Sequence, residues 1–157
     1  MVIRAFRNGD LASVVNCFTE SVWVIAARHY GGEQIEVWAP REPDLDSWRG
    51  RLSSECVLVA EVEGVVAGFV RVERSGFVDL LYVHPTHGRR GIGRELLNAA
   101  CSWAAANGAK RFEASVSLAA RPLFEAVAFR VEREQSVEYK GIVFRNFRMA
   151  READLQR

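Results

Sequence analysis

The sequence predicts an α/β fold with a mixed, mostly antiparallel central sheet flanked by helices on both faces. Three observations predict it. Apolar residues recur at helical spacing after Asp10 and again after Gly91. Between those stretches lie apolar runs of strand length, separated by two-residue turn signals. The element order is strand, helices, three meandering strands, helix, strand, helix and two strands, which suits a sheet covered on two sides. At 157 residues, 49% of them apolar, the chain has the size and core content of one domain, expected to span 1–157.

The elements follow in order. Val2–Arg7 reads as a first strand and Asn8-Gly9-Asp10 as a turn, with Asp10 as helix N-cap. Leu11, Val14, Val15, Phe18, Val22 and Ile25 then form one helical face. Gly31-Gly32 interrupts it. A second helical piece, Glu33–Ala39, stops at Pro40, and Asp44–Leu52 reads as a further short helix. Cys56–Val62 and Val65–Glu73 form a hairpin around Glu63-Gly64. Ser75-Gly76 is the next turn, and Phe77–Val83 a strand whose only charge is Asp79.

After a glycine- and arginine-rich loop, Ile92, Leu96, Ala100, Trp103 and Ala104 share a helix face that ends at Asn107-Gly108. Phe112–Val116 is a strand, and Ala120–Val127 a short helix with Pro122 in its first turn. Phe129–Glu134 and Ile142–Met149 close the chain as a hairpin.

Composition excludes several function classes. Lys plus Arg is 21 and Asp plus Glu 20, a net charge of +1, so there is no electrostatic footprint for nucleic acid. No run approaches 18 uninterrupted apolar residues, so no membrane span is expected. Met1–Arg7 reads as a short strand with basic residues and not as a secretory signal. Cys17, Cys56 and Cys101 lack metal spacing and sit among apolar neighbours, the pattern of buried free thiols. His29, His84 and His87 form no HExxH-like pair, and no metal site is expected. The expected setting is cytoplasmic, as a monomer or homodimer.

The segment that carries chemistry is the strand, loop and helix over 77–107. Gly91 and Gly93 stand where a strand gives way to a helix, so the backbone can turn tightly and bring N–H groups close to an anion. The new helix adds unpaired N–H groups and the positive end of its dipole. Arg89, Arg90 and Arg94 add charge at the same place. These are the parts of a pyrophosphate cradle, although glycines and arginines also build purely structural turns. There is no Gly-Lys-Ser/Thr of a P-loop and no GxGxxG of a dinucleotide fold.

The stretch from Asp79 to Leu97, DLLYVHPTHGRRGIGRELL, resembles the acetyl-CoA signature of the GNAT superfamily of N-acetyltransferases. There Gln/Arg-x-x-Gly-x-Gly/Ala follows an acidic-x-Leu-Tyr-Val-x-Pro strand. Ala119–Phe129 is similar to that family's Ala-x-x-x-Tyr-Glu-x-x-Gly-Phe helix. His29-Tyr30, Gln34-Ile35, Trp38-Ala39 and the Gly141 to Met149 ending resemble a narrower group of uncharacterised bacterial members. The resemblance covers nearly the whole chain.

It implies a GNAT-like acyltransferase fold and an enzyme that moves an acetyl group from acetyl-CoA, its co-substrate, to a primary amine by direct attack. The parallel strands around Tyr82 and Ser115 should splay around the pantetheine arm. Backbone groups of Leu81, Tyr82 and Val83 should pair with that arm. Gly88, Arg89, Arg90, Gly91, Ile92, Gly93 and Arg94 should hold the pyrophosphate. Ser117 and Phe124 should adjoin the cofactor, and Asp79 is the candidate base. His29, Tyr30 and Trp38 are candidates for the acceptor site, which would take a small-molecule or peptide amine.

Four letters depart from the pattern. Gly88 stands where Gln or Arg is usual, Ala128 where Gly is usual, and Ser117 where Asn often stands. Phe124 occupies the place of the Tyr that protonates the departing thiolate in many members, and Phe cannot donate a proton. That substitution keeps open a non-catalytic acyl-CoA-binding or sensing module. Tyr139 or water is a possible substitute acid if the fold brings it near. Asp79, for its part, is either the base or the structural partner of an arginine.

Overall fold

The computed structural model describes residues 1–154. The chain opens with β1 (Val2–Ala5), makes a 3-10 turn at Asn8–Asp10 and enters α1 (Leu11–Val24). A 3-10 turn at Ala26–Arg28, then α2 (Gly32–Trp38) and α3 (Leu45–Arg51), follow. Next come β2 (Cys56–Val62), β3 (Val65–Val72) and β4 (Val78–Val83). These pair antiparallel in the order β1-β2-β3-β4. A third 3-10 turn (Pro85–His87) leads to α4 (Ile92–Ala106), β5 (Arg111–Val116) and α5 (Arg121–Ala126). The hairpin of β6 (Arg130–Tyr139) and β7 (Ile142–Glu152) completes a second antiparallel sheet, β5-β7-β6.

The expected central sheet is thus two sheets, joined at one point. Phe77 and Glu113 form a parallel bridge, and the Glu113 N–H donates to the Gly76 carbonyl at 3.1 Å. Beyond that bridge, β4 and β5 run without pairing to each other. Each is therefore an edge strand with one unpaired side facing the other.

Both faces of the first sheet are covered, which explains why β2 and β3 read as continuous apolar runs. Successive residues Phe69 and Val70 are both fully buried, on opposite sides. On one side Leu96, Leu97 and Ala100 of α4 pack with Ala67, Val70, Ala114 and Met149, so α4 spans both sheets. On the other side Val14, Phe18 and Val22 of α1 pack with Val59, Phe69 and Leu80. By length and composition the helical run Asn8–Arg28 could cross a membrane, with a mean hydropathy of 1.2. In this fold its apolar face is spent on the core. All three cysteines are buried thiols, as their apolar neighbours predict.

Two local features differ from the sequence reading. Asp10 makes no side-chain cap to α1. It accepts instead from the Arg7 N–H at 2.8 Å and from both terminal nitrogens of Arg4 at 2.8 and 2.9 Å, because the helical turn already begins at Asn8. Arg4 holds the Asp10 carboxyl below the usual carboxylate range. The closing hairpin is also longer than expected. β6 continues past Glu134 to Tyr139, pairing residue by residue with β7 down to Tyr139–Ile142.

Candidate active site

The gap between β4 and β5 is a cleft of about 780 Å³, within the size range of small-molecule sites. Its two strand walls are Leu80–Val83 and Ala114–Val116. Phe18 and Ser21 of α1 and Ile25 just after it line one side, and Ala120, Leu123 and Phe124 from the α5 region line another. The cleft reaches Pro85, Gly88 and Arg89 in one direction, and Trp38, Tyr139 and Phe144 also line it. Because β4 and β5 are edges, their outward N–H and C=O groups are available to an extended ligand, as in strand addition.

At the Gly88–Arg89 end the loop turns into α4. Gly91 is the N-cap, with φ 77° and ψ 9°, a left-handed conformation that a residue with a Cβ adopts only under strain. The space a Cβ would occupy there is open. The first bond along α4 runs from Glu95 N–H to the Gly91 carbonyl at 3.0 Å, so the N–H groups of Ile92, Gly93 and Arg94 precede the helical ladder. With the dipole of a 15-residue helix behind them, they form an anion-seeking end. Gly93 serves packing: a Cβ there would lie 2.8 Å from Leu123 Cδ2, so glycine lets the start of α4 press against α5.

Gly88 and Arg89 line the cleft, whereas Arg90, Gly91, Ile92, Gly93 and Arg94 lie beyond its lining residues. The Ile92 side chain is buried in the core, leaving only its backbone for any ligand. Gly88 has ordinary extended angles, φ −64° and ψ 156°, so any side chain would fit its backbone.

Asp79 lines the cleft within a β-bulge. Arg71 pairs with Leu80 and Val72 with Val78, so Asp79 is the extra residue on β4. The bulge resets the alternation of side chains. Val78, Leu81 and Val83 pack toward α4, while Leu80 and Tyr82 face α1. Asp79 joins the α1 side, where Arg51 Nη2 donates to its Oδ1 at 3.3 Å and Arg71 Nη1 to its Oδ2 at 3.1 Å. It is thus not on the Leu81 side, as plain alternation would have it. Each carboxylate oxygen carries one guanidinium N–H and keeps a second lone-pair direction.

Tyr82 stacks on Phe69 with ring centroids 5.8 Å apart and meets Phe18 edge to face at 4.8 Å. Desolvation pushes its hydroxyl up to about 12, although part of the residue touches solvent. Ser117 Oγ accepts from Ala120 N–H at 3.1 Å, which starts α5 and leaves its own O–H free to donate. Phe124 is 4% exposed, packs edge to face on Phe129, and still contributes to the cleft wall.

The α2 end of the cleft holds Tyr30 and Trp38 but not His29, which is exposed and outside the lining. Tyr30 is buried and donates to the Arg145 carbonyl at 2.6 Å while accepting from Leu118 N–H at 3.1 Å. It thereby ties the segment before α2 to β7 and to the loop between β5 and α5, and burial raises its hydroxyl pKa. Trp38 meets the Tyr30 and Phe144 rings edge to face at 5.3 and 6.0 Å. Arg28, Phe144 and Asn146 line the cleft without having been named as site candidates in the sequence, and Tyr139 lines it as well. The signal for Arg28 was the helical phase of Phe18, Ser21 and Ile25 carried three residues further. Asn146 Oδ1 is buried without a hydrogen-bond partner, which costs about 1–3 kcal/mol unless water or a ligand donates to it.

Comparison with known proteins gives this geometry a family context. The family model for the acetyltransferase (GNAT) domain matches residues 26–151. The uncharacterized N-acetyltransferase YafP of Escherichia coli (strain K12) is 31% identical over 148 residues, 94% of this chain and 93% of YafP. A GCN5-related N-acetyltransferase structure from Rhodopseudomonas palustris superposes with a TM-score of 0.92 at 28% identity, covering 96% of this chain and 94% of its own. The yncA protein of Salmonella typhimurium, a putative acetyltransferase determined with acetyl-CoA, shares the fold at a TM-score of 0.74 and 24% identity, covering 100% and 96%.

Proposed function

The chain belongs to the GNAT acetyltransferase family and is an acetyl-CoA-dependent N-acetyltransferase, and from that premise we propose that a primary amine attacks the bound thioester directly. The observation that carries this reading is the cleft between the unpaired edges of β4 and β5, which reaches Gly88 and Arg89 at the start of the loop into α4.

The open edge of β4 supports assigning the pantetheine arm to Leu81, Tyr82 and Val83, with one N–H facing the thioester oxygen. The unladdered N–H groups of Ile92, Gly93 and Arg94, with Arg89 and Arg90 beside them, support a pyrophosphate site at 88–94. Ser117 has a free O–H for the cofactor, and Phe124 offers it an apolar wall.

A base must take a proton before or as the amine attacks. A lysine-like amine costs more than about 4 kcal/mol to deprotonate at neutral pH, and an α-amine about 1.4 kcal/mol. Among the described residues Asp79 is the one carboxylate on the cleft lining, and no imidazole lines it. In this reading Asp79 takes the proton, directly or through water, on a lone pair that Arg51 and Arg71 leave open. The thiolate of CoA leaves without an acid from Phe124; a thiol pKa near 8.5 makes it a tolerable leaving group. Tyr139 or water protonates it. No covalent enzyme intermediate is needed, and the three buried cysteines support that.

Calorimetry with purified protein tests the cofactor half. Acetyl-CoA and CoA should bind with about micromolar affinity, and NAD and ATP far more weakly. Absence of CoA binding would remove the reading.

A further inference from the structure

Resting on the acetyl-transfer reading, we infer that the acceptor is a free α-amino acid with an apolar or aromatic side chain, and that Arg28 selects for its carboxylate. α1 and the turn after it line one cleft wall with Phe18, Ser21, Ile25 and Arg28, at helical spacing. The Arg28 guanidinium makes no ion pair or side-chain hydrogen bond among the described residues. The other cations on the cleft are accounted for differently. Arg51 is engaged with Asp79, and Arg89 stands beside Gly88 at the loop that leads to α4.

Arg28 is too far along the helix to share a ligand phosphate with that loop. Ser13 and Asn16 of α1 share a small cavity with His84, Thr86 and His87, just before Gly88. Arg28 follows Asn16 by twelve positions, about 18 Å where α1 and the 3-10 turn after it share one axis at 1.5 Å per residue. It therefore marks the acceptor end of the cleft.

The rest of that end fits the remainder of such a ligand. Val137 is 40% exposed, apolar surface on the cleft wall that a nonpolar side chain would cover. The unpaired cation complements a ligand that carries an anion. A bare cationic amine would be repelled by Arg28, and the one carboxylate on the lining is already paired with two guanidiniums. An α-amine is also more easily deprotonated than an alkylamine, which suits a site with a single, partly engaged base.

The test compares L-phenylalanine, L-phenylalaninamide and 2-phenylethylamine. Binding to CoA-loaded protein is measured by calorimetry, and turnover by thiol release from acetyl-CoA. Phenylalanine is expected to exceed the other two by about tenfold or more in affinity and in kcat/KM, the effect of one charge-assisted hydrogen-bonded pair. Arg28→Gln should collapse that ratio toward one, mainly through KM, and Arg28→Lys should restore part of it. A melting curve checks that the exposed substitution leaves the fold intact. Equal use of the three amines, preference for the uncharged pair, absence of phenylalanine binding, or a ratio unmoved in Arg28→Gln overturns the inference while leaving acetyl transfer standing. Selective binding of phenylalanine without thiol release has the opposite meaning: the carboxylate site stands and the transfer reading falls.

Discussion

The rings of Phe124 and Phe129 meet edge to face, centroids 5.0 Å apart, across the C-terminal turn of α5. Phe129 N–H donates to the Phe124 carbonyl and Ala128 N–H to the Glu125 carbonyl, both at 3.0 Å. That pair of bonds with that apolar contact is a Schellman motif, and it requires a left-handed residue between. The residue is Ala128, at φ 66°. α4 ends in the same bond pattern with Gly108 at φ 98°.

Ala128→Gly is therefore expected to stabilise the protein. An L-residue in the left-handed region costs about 1–2 kcal/mol, partly offset by the greater freedom glycine gives the unfolded chain. A net gain of about 0.5–1 kcal/mol should raise the melting temperature by about 2 °C in a chain of this size. An unchanged or lower melting temperature contradicts the strain argument.

Phe124→Tyr tests whether the face of that ring on the cleft lies beside the departing sulfur. The expected result is a melting temperature within a few degrees of the parent and a kcat between unchanged and about tenfold higher. If the new hydroxyl is instead buried without a partner, the variant loses about 1–3 kcal/mol of stability with unchanged turnover in the folded fraction. Thermal melting and turnover measured on one sample separate the two.

Much of this was legible in the sequence. The hairpin around Glu63-Gly64, the helix from Ile92 and the loop before it follow from local turn chemistry and periodicity, and local signals survive folding. Other features depend on partners that a single chain of letters hides. The bulge that moves Asp79 to the α1 side exists only relative to β3. The end of β6 reads as polar loop, since Gln135, Ser136 and Glu138 pair with β7 while most of that stretch faces solvent. His29 is exposed and lies outside the cleft lining, and the helical phase puts its neighbour Arg28 on that lining instead.

Asp79→Asn should lower kcat/KM by about 10²–10⁴ near neutral pH, with partial recovery at high pH as the amine loses its proton unaided. CoA affinity should stay within a few-fold. Little stability should be lost, because Arg71 keeps the Arg51 carbonyl at 3.0 Å, Glu73 at 3.2 Å and Ser54 at 3.3 Å. Tyr82, whose hydroxyl is pushed up to about 12, should not shape the profile below pH 10. A variant that is merely unstable and keeps the parent's pH profile assigns Asp79 to structure.

Gly91→Asp should abolish binding of acetyl-CoA measured by calorimetry. The new side chain has room, so the fold should persist at a cost of about 1–2 kcal/mol for the left-handed backbone. Its carboxylate would stand at the helix start assigned to the phosphates. Undiminished CoA affinity in a folded variant would move the pyrophosphate site away from 88–94.

The most direct test of the central claim is thiol release from acetyl-CoA across a panel of primary amines, with the amine product weighed by mass spectrometry. The account predicts release that depends on the amine and matches, mole for mole, an acetylated amine heavier by one acetyl group. Tight CoA binding with no amine-dependent release and no acetylated product would contradict it, and would make the chain an acyl-CoA-binding module on an acetyltransferase fold.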